Sequence, residues 1–175
     1  MRDQDEAAIV ACIPSLRRYA RGLTADATRA DDLVQDTLER VWRRFSMWQR
    51  RGEVRAWMFG IMHNQFVDRL RAQQSRPELV GVDPLPEPAE RATQADRLEL
   101  RDLDALLQRL PAEQREVLLL VAVEELSYRE VAEALAIPIG TVMSRLSRAR
   151  AWLRTELQGG SEASAAAASK LQRVK

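Results

Sequence analysis

At 175 residues, with 46% hydrophobic and 30% charged side chains, the chain suits one medium domain or two small ones. No apolar run approaches the ~20 residues needed to cross a bilayer, and the polar, partly acidic start from Met1 to Glu6 has no basic-then-apolar leader pattern, so no membrane insertion and a cytoplasmic location are expected. A single cysteine, Cys12, excludes an internal disulfide and a cysteine zinc site, and a single histidine, His63, excludes a histidine metal cluster.

The formal net charge of +1 is uninformative, but its distribution is not. Arg43 to Arg76 holds eight arginines against two acids, and Thr141 to Arg154 holds four arginines and no acid. The first 42 residues lean the other way, with eight acids and six arginines. Two separated basic patches suit a polyanion held at two places, against the plainer reading of solvated helix faces.

Strand patterns are weak and helical periodicity runs throughout, so an all-α fold is expected. A first helix is expected over Ala7 to Leu23, kinked or split by Pro14. Within it Cys12, beside Ile9, Val10 and Ile13, reads as a buried small hydrophobe rather than a reactive thiol. Asp26 can cap a second helix, in which Val34, Leu38, Val41 and Phe45 form an apolar stripe opposite Asp32, Gln35, Asp36 and Glu39. Ser46 to Gly52 reads as a loop. A third helix is expected from Glu53 to Gln74, burying Phe59, Met62, Phe66 and Leu70, with Trp57 and Ile61 widening that side. These helices make one N-terminal domain, residues 1–73.

Residues 74–94 hold Pro77, Pro84, Pro86 and Pro88 among several acids, which forbids a continuous helix and predicts a flexible linker. A second helical domain is expected over 95–157. Leu98, Leu103, Leu106, Leu107 and Leu110 supply apolar contacts, and Pro111 opens a helix to about Glu124. Ser127-Tyr128-Arg129-Glu130 is a capping box for a short helix ending near Leu135. A turn follows, and Pro138 opens a last helix to about Leu157. The tail, 158–175, is low in complexity and is expected to be disordered.

The segment Ser127 to Leu157 has the pattern of a helix-turn-helix. Val142, Leu146, Ala149 and Leu153 should face the core, leaving Thr141, Ser144, Arg145 and Arg148 to meet phosphates and base edges. An ordinary helical hairpin with a basic face would share this pattern.

Ser127 to Arg154, SYREVAEALAIPIGTVMSRLSRARAWLR, resembles the promoter-reading C-terminal domain of extracytoplasmic-function (ECF) sigma factors. Leu110 to Val117 resembles the start of that family's preceding helix. Ala30 to Leu38 resembles its polymerase-docking helix, and Val54 to Ile61 the helix reading the minus-ten element. The matches span residues 8 to 156 in family order. The resemblance implies a region 2-like domain, a linker and a region 4-like domain. It also implies core RNA polymerase and promoter DNA as partners, an anti-sigma factor as regulator, and no cofactor.

On this reading Asp32, Gln35, Asp36 and Glu39 dock on polymerase. Trp48, Arg51, Arg55, His63, Asn64 and Arg69 meet the minus-ten element; Trp48 can stack an extruded base or face the core. Thr141, Met143, Ser144, Arg145, Ser147 and Arg148 meet the minus-thirty-five element. Two departures stand out. Met143 replaces a basic or polar residue common in the family, and Ala136 replaces a turn glycine, tolerable only with a negative φ.

An enzyme is not expected. There is no phosphate-cradling glycine loop, and Asp31-Asp32 with Asp36 read as complements to a helix dipole before a magnesium site. A solitary helix-turn-helix regulator leaves the Asp31 to Trp42 segment unexplained. A protein-binding helical adaptor leaves the arginine-rich last helix unexplained.

Overall fold

The computed structural model describes residues 3–45, 48, 53–74 and 103–172, with only the backbone given at 3, 4, 74 and 159–172. No strand occurs among them. The helices are α1 (Asp3–Thr24), α2 (Ala27–Arg44), α3 (Val54–Gln74), α4 (103–109), α5 (Ala112–Ala122), α6 (Tyr128–Leu135) and α7 (Ile139–Gln172). The expected linker and most of the expected loop, Arg51 included, lie outside the described residues.

Helices α1 to α3 pack into one module. α1 runs through Pro14 without breaking. Proline removes one donor, to the carbonyl of Val10, and both residues are exposed, so water can satisfy that oxygen. On the other side Ile9, Cys12, Leu16, Tyr19 and Leu23 are buried and hold the helix together. The Tyr19 and Phe59 rings meet edge to face at 5.2 Å, which adds about 0.5–1.5 kcal/mol beyond area burial. Asp26 caps α2, accepting the Arg29 amide at 2.7 Å. In α2, Val34 and Val41 are buried as the stripe requires, joined by Ala30, Leu33 and Thr37, while Leu38 and Phe45 are half-buried.

The second module comprises α4 to α7. Leu107 and Leu110 are buried, but Leu103 is exposed rather than part of the core. Pro111 stands at the N-cap, one position before the helix it was expected to open from within. The Ser127–Glu130 capping box is complete. α7 continues to Gln172, where a disordered tail was expected from 158. An established helix propagates at one hydrogen bond per residue, and the alanines of 165–168 are the best helix formers, which outweighs Gly159-Gly160.

The two modules are docked. α3 packs along α6, and α1 touches α5, so the buried side chains form one continuous core. This explains why α3 buries Ala56, Met58, Phe59, Ile61, Met62, Gln65 and Phe66, more than one face of a helix. Gly60 permits the contact: a β-carbon there would lie 2.9 Å from the Ala134 carbonyl oxygen.

Candidate nucleic-acid interface

The turn between α6 and α7 is closed by the backbone. The Ile137 amide donates to the Ala132 carbonyl at 3.0 Å, and the Ala136 amide to the Glu133 carbonyl at 3.3 Å. This is a Schellman stop, which needs a left-handed residue at its corner. Ala136 takes that role at φ 52° and ψ 43°, so the negative φ expected of an alanine here is wrong. The closure of the helix-turn-helix outweighs the steric cost of about 1–2 kcal/mol.

α7 then opens on the Pro138 carbonyl, which accepts the Thr141 and Val142 amides at 2.8 and 3.2 Å. Val142, Leu146 and Ala149 are fully packed, and Leu153 is half-buried. The outer side presents Met143, Ser144, Ser147 and Arg148, all exposed, with Thr141 half-buried beside them. Arg145 differs from the expectation of a free side chain. It is ion-paired with Glu113 of α5 and its side chain is only 20% exposed. Met143 has no hydrogen-bond donor but suits a thymine methyl.

The expected minus-ten residues are only partly brought together. Asn64 is exposed on α3. Arg55 is half-buried and donates to Glu124 at 2.9 Å. His63 lies 2.7 Å from a carboxylate oxygen of buried Glu116. Arg69 pairs with Asp36 across α2 and α3. Trp48 is half-buried, stacking on Trp57 at 5.6 Å between centroids and lying 5.7 Å from Phe45. Cys12 is buried, and burial pushes its thiol up, opposed by the nearby Arg55 charge.

Three acidic or basic groups at the module seam were not singled out from the sequence. Glu124 has no exposure, Glu116 is 3% exposed and Arg115 is 6% exposed. Glu124 accepts both Arg18 and Arg55. Among the described residues Arg115 donates to the Leu107 and Gln108 carbonyls alone, and burial lowers its pKa against the opposing pull of Glu116. Burial of charges across a linker leaves no periodic trace, so only the three-dimensional pairing reveals it.

On α2, Asp32, Gln35, Asp36 and Glu39 are all exposed, and exposed Trp42 continues the same side one turn on. Among the described residues no cluster of three potential metal ligands occurs, and no helix is long and apolar enough to cross a membrane.

A polar face on one helical module and a helix-turn-helix on the other define a two-module DNA-binding protein. Residues 9–63 match the family model described as the Sigma2 domain of PhyR, and residues 100–153 match Sigma-70, region 4. The chain is 36% identical over 145 residues to the ECF RNA polymerase sigma factor EcfG of Rhodopseudomonas palustris, covering 83% of this chain and 80% of that protein. It is 32% identical to the RNA polymerase sigma factor CnrH of Cupriavidus metallidurans, over 85% of this chain and 83% of that one. Among solved structures it resembles the sigma factor RpoE in complex with the anti-sigma factor NepR from Bartonella quintana. The TM-score is 0.76 at 30% identity, covering 90% of this chain and 98% of the other. The chain belongs to the ECF family of RNA polymerase sigma factors, which direct core polymerase to promoters.

Proposed function

We propose that the two modules divide promoter recognition between them. The α7 surface of Thr141, Met143, Ser144, Ser147 and Arg148, backed by Arg145, reads the minus-thirty-five element in the major groove. The observation that carries this reading is the orientation of α7: its apolar stripe is buried and its Ser, Met and Arg side chains face outward. The α2 side of Asp32, Gln35, Asp36 and Glu39 docks on a basic polymerase surface, with Trp42 as an aromatic anchor. Asn64, together with Arg51, Arg55, His63 and Arg69, serves the minus-ten element. For Arg55 and His63 this requires the modules to separate.

The protein acts through polymerase and carries no catalytic group of its own. It works in the cytoplasm, and an anti-sigma factor regulates it. The RpoE–NepR neighbour, and a second one described as CnrH in complex with the cytosolic domain of CnrY (TM-score 0.67, 29% identity), support that last point. Run-off transcription from a genomic fragment library, with and without core polymerase, tests the reading. Initiation at a discrete set of promoters only when both proteins are present is expected. Tight promoter binding by the chain alone, with no effect on polymerase, would favour a solitary regulator.

A further inference from the structure

Two arginines of the N-terminal module converge on one carboxylate of the other. Arg18, on α1, donates through Nε to Glu124 Oε1 at 3.2 Å and through Nη2 to Oε2 at 3.0 Å. Arg55, on α3, donates through Nη2 to the same Oε2 at 2.9 Å. The Ser15 hydroxyl lies 3.1 Å from Arg18 Nη2 and 3.5 Å from Arg55 Nη2, completing a small polar cradle. Glu124 is fully buried, whereas the Arg18 and Arg55 side chains keep 54% and 37% exposure. The cradle therefore belongs to the N-terminal module, and the carboxylate is inserted into it.

Part of the cradle is supported by the N-terminal module itself. Arg18 rises from a helix whose other side is packed through Leu16, Tyr19 and Ala20. Arg55 lies over the Phe59 ring, 5.7 Å from its centroid, and its Nε is buried without a partner among the described residues. If the modules part, Glu124 leaves with α5 and α6, and two neighbouring guanidinium groups lose the anion that they share. A planar fork that accepts a carboxylate in two-point fashion accepts a phosphate equally well.

We propose that Arg18 and Arg55 form a backbone-phosphate site for promoter DNA, and that Glu124 fills it in the docked form as an internal substitute for phosphate. The proposal rests on the promoter-binding reading above. It adds Arg18 to the DNA surface and makes docking of the modules and DNA binding mutually exclusive. The latch is suited to release. Desolvation of the carboxylate roughly cancels the attraction of its two partners, so the ion pairs add little to the apolar packing of α3 on α6 that holds the closed form. Opening returns Glu124 to water and leaves no unpaired charge buried.

The test uses the full chain, a fluorescein-labelled DNA fork of random sequence, and anisotropy over a range of salt concentrations. Phosphate contacts do not depend on sequence, so no promoter is needed. Gly60→Ala opens the seam without touching a charge, because its β-carbon would meet Ala134 backbone at 2.9 Å. It should increase the radius of gyration in small-angle scattering and tighten fork binding by roughly tenfold, as the binding-competent fraction rises. Adding Arg18→Gln should then weaken binding and reduce the slope of log affinity against log salt by about 1. Glu124→Gln is the independent opener and should behave like Gly60→Ala.

If neither opener tightens binding, Glu124 does not occupy a DNA site and the proposal is overturned. If both do, but Arg18→Gln on the Gly60→Ala background changes neither affinity nor slope, Arg18 belongs to the latch alone and the phosphate site is wrong. Run-off transcription by the parent chain with core polymerase separates the two levels: its success alongside either failure leaves the sigma-factor function standing.

Discussion

Arg145 and Glu113 are ion-paired across α7 and α5, and the pair leaves the arginine 20% exposed while the glutamate stays 69% exposed. The arginine is thus the anchored partner. Its charge stands at the reading surface, but its donors are partly engaged. Arg148, one turn along and exposed, has no such restraint among the described residues.

Arg148→Ala should therefore cost more in minus-thirty-five duplex affinity than Arg145→Ala. A lost two-point contact to guanine is worth ~1–3 kcal/mol, or roughly ten- to a hundredfold. Glu113→Gln should free Arg145 and raise duplex affinity at low salt. Anisotropy with a duplex taken from a run-off promoter measures all three. Equal losses from the two arginines, with no gain from Glu113→Gln, would show that the ion pair does not restrain Arg145.

Ala136 carries a strain that glycine would not. At φ 52° its β-carbon crowds the following carbonyl, at a cost of about 1–2 kcal/mol. Ala136→Gly should stabilise the chain by up to about 1 kcal/mol, after the greater freedom of glycine in the unfolded chain is subtracted. A urea unfolding midpoint shifted upward with an unchanged slope is the expected result. A lower midpoint would mean that the alanine methyl contributes packing larger than the strain.

The capping box makes the helix-turn-helix sensitive to acid. Glu130 is held below the ordinary glutamate range, first by the Ser127 hydroxyl at 2.6 Å and then by the Ser127 amide at 2.7 Å. Because the folded value lies below the unfolded one, the stabilisation is complete above the unfolded glutamate pKa and is lost as pH falls through the folded value. Glu130→Gln should lower stability at neutral pH and flatten its decline on acidification. Ser127→Ala should cost about 1 kcal/mol at neutral pH. Thermal unfolding from neutral pH down to about pH 2, well below the ordinary glutamate pKa, reads both.

Much of this molecule can be read in the chain because its local signals agree. Asp26, the Ser127–Glu130 box and the Val142–Leu146–Ala149 repeat are short-range devices, and each sits where the sequence puts it. The docking of the modules is not short-range. One clue lies in α3, where Met58-Phe59 and Ile61-Met62 are too many apolar residues for a helix with one covered face. Glu116 and Glu124 read as ordinary polar positions because their partners, His63, Arg18 and Arg55, lie across the linker. Pro14 misleads for another reason: a proline is tolerated where the carbonyl it orphans faces water.

The polymerase-docking surface can be tested without disturbing the fold, provided the substitutions avoid residues that already have partners. Asp36 pairs with Arg69 and Glu39 with Arg43, so reversing either changes contacts within the chain. Asp32 and Gln35 are exposed and have no side-chain partner among the described residues. Trp42 is 41% exposed, an unusual placement for tryptophan on a solvated helix and a common one for an interface anchor. Asp32→Arg with Gln35→Arg should leave helical content unchanged and weaken core polymerase binding, mainly by slowing association, with the loss deepening as salt is lowered. Trp42→Ala should act differently, speeding dissociation by tenfold or more with little salt dependence, as expected for an apolar contact of about 2 kcal/mol. Surface-immobilised core polymerase and kinetic titration of each variant separate the two rates. A salt-independent loss from the charge reversal would place that face outside the interface and assign its effect to folding. Unchanged dissociation in Trp42→Ala would move the anchor elsewhere on the module.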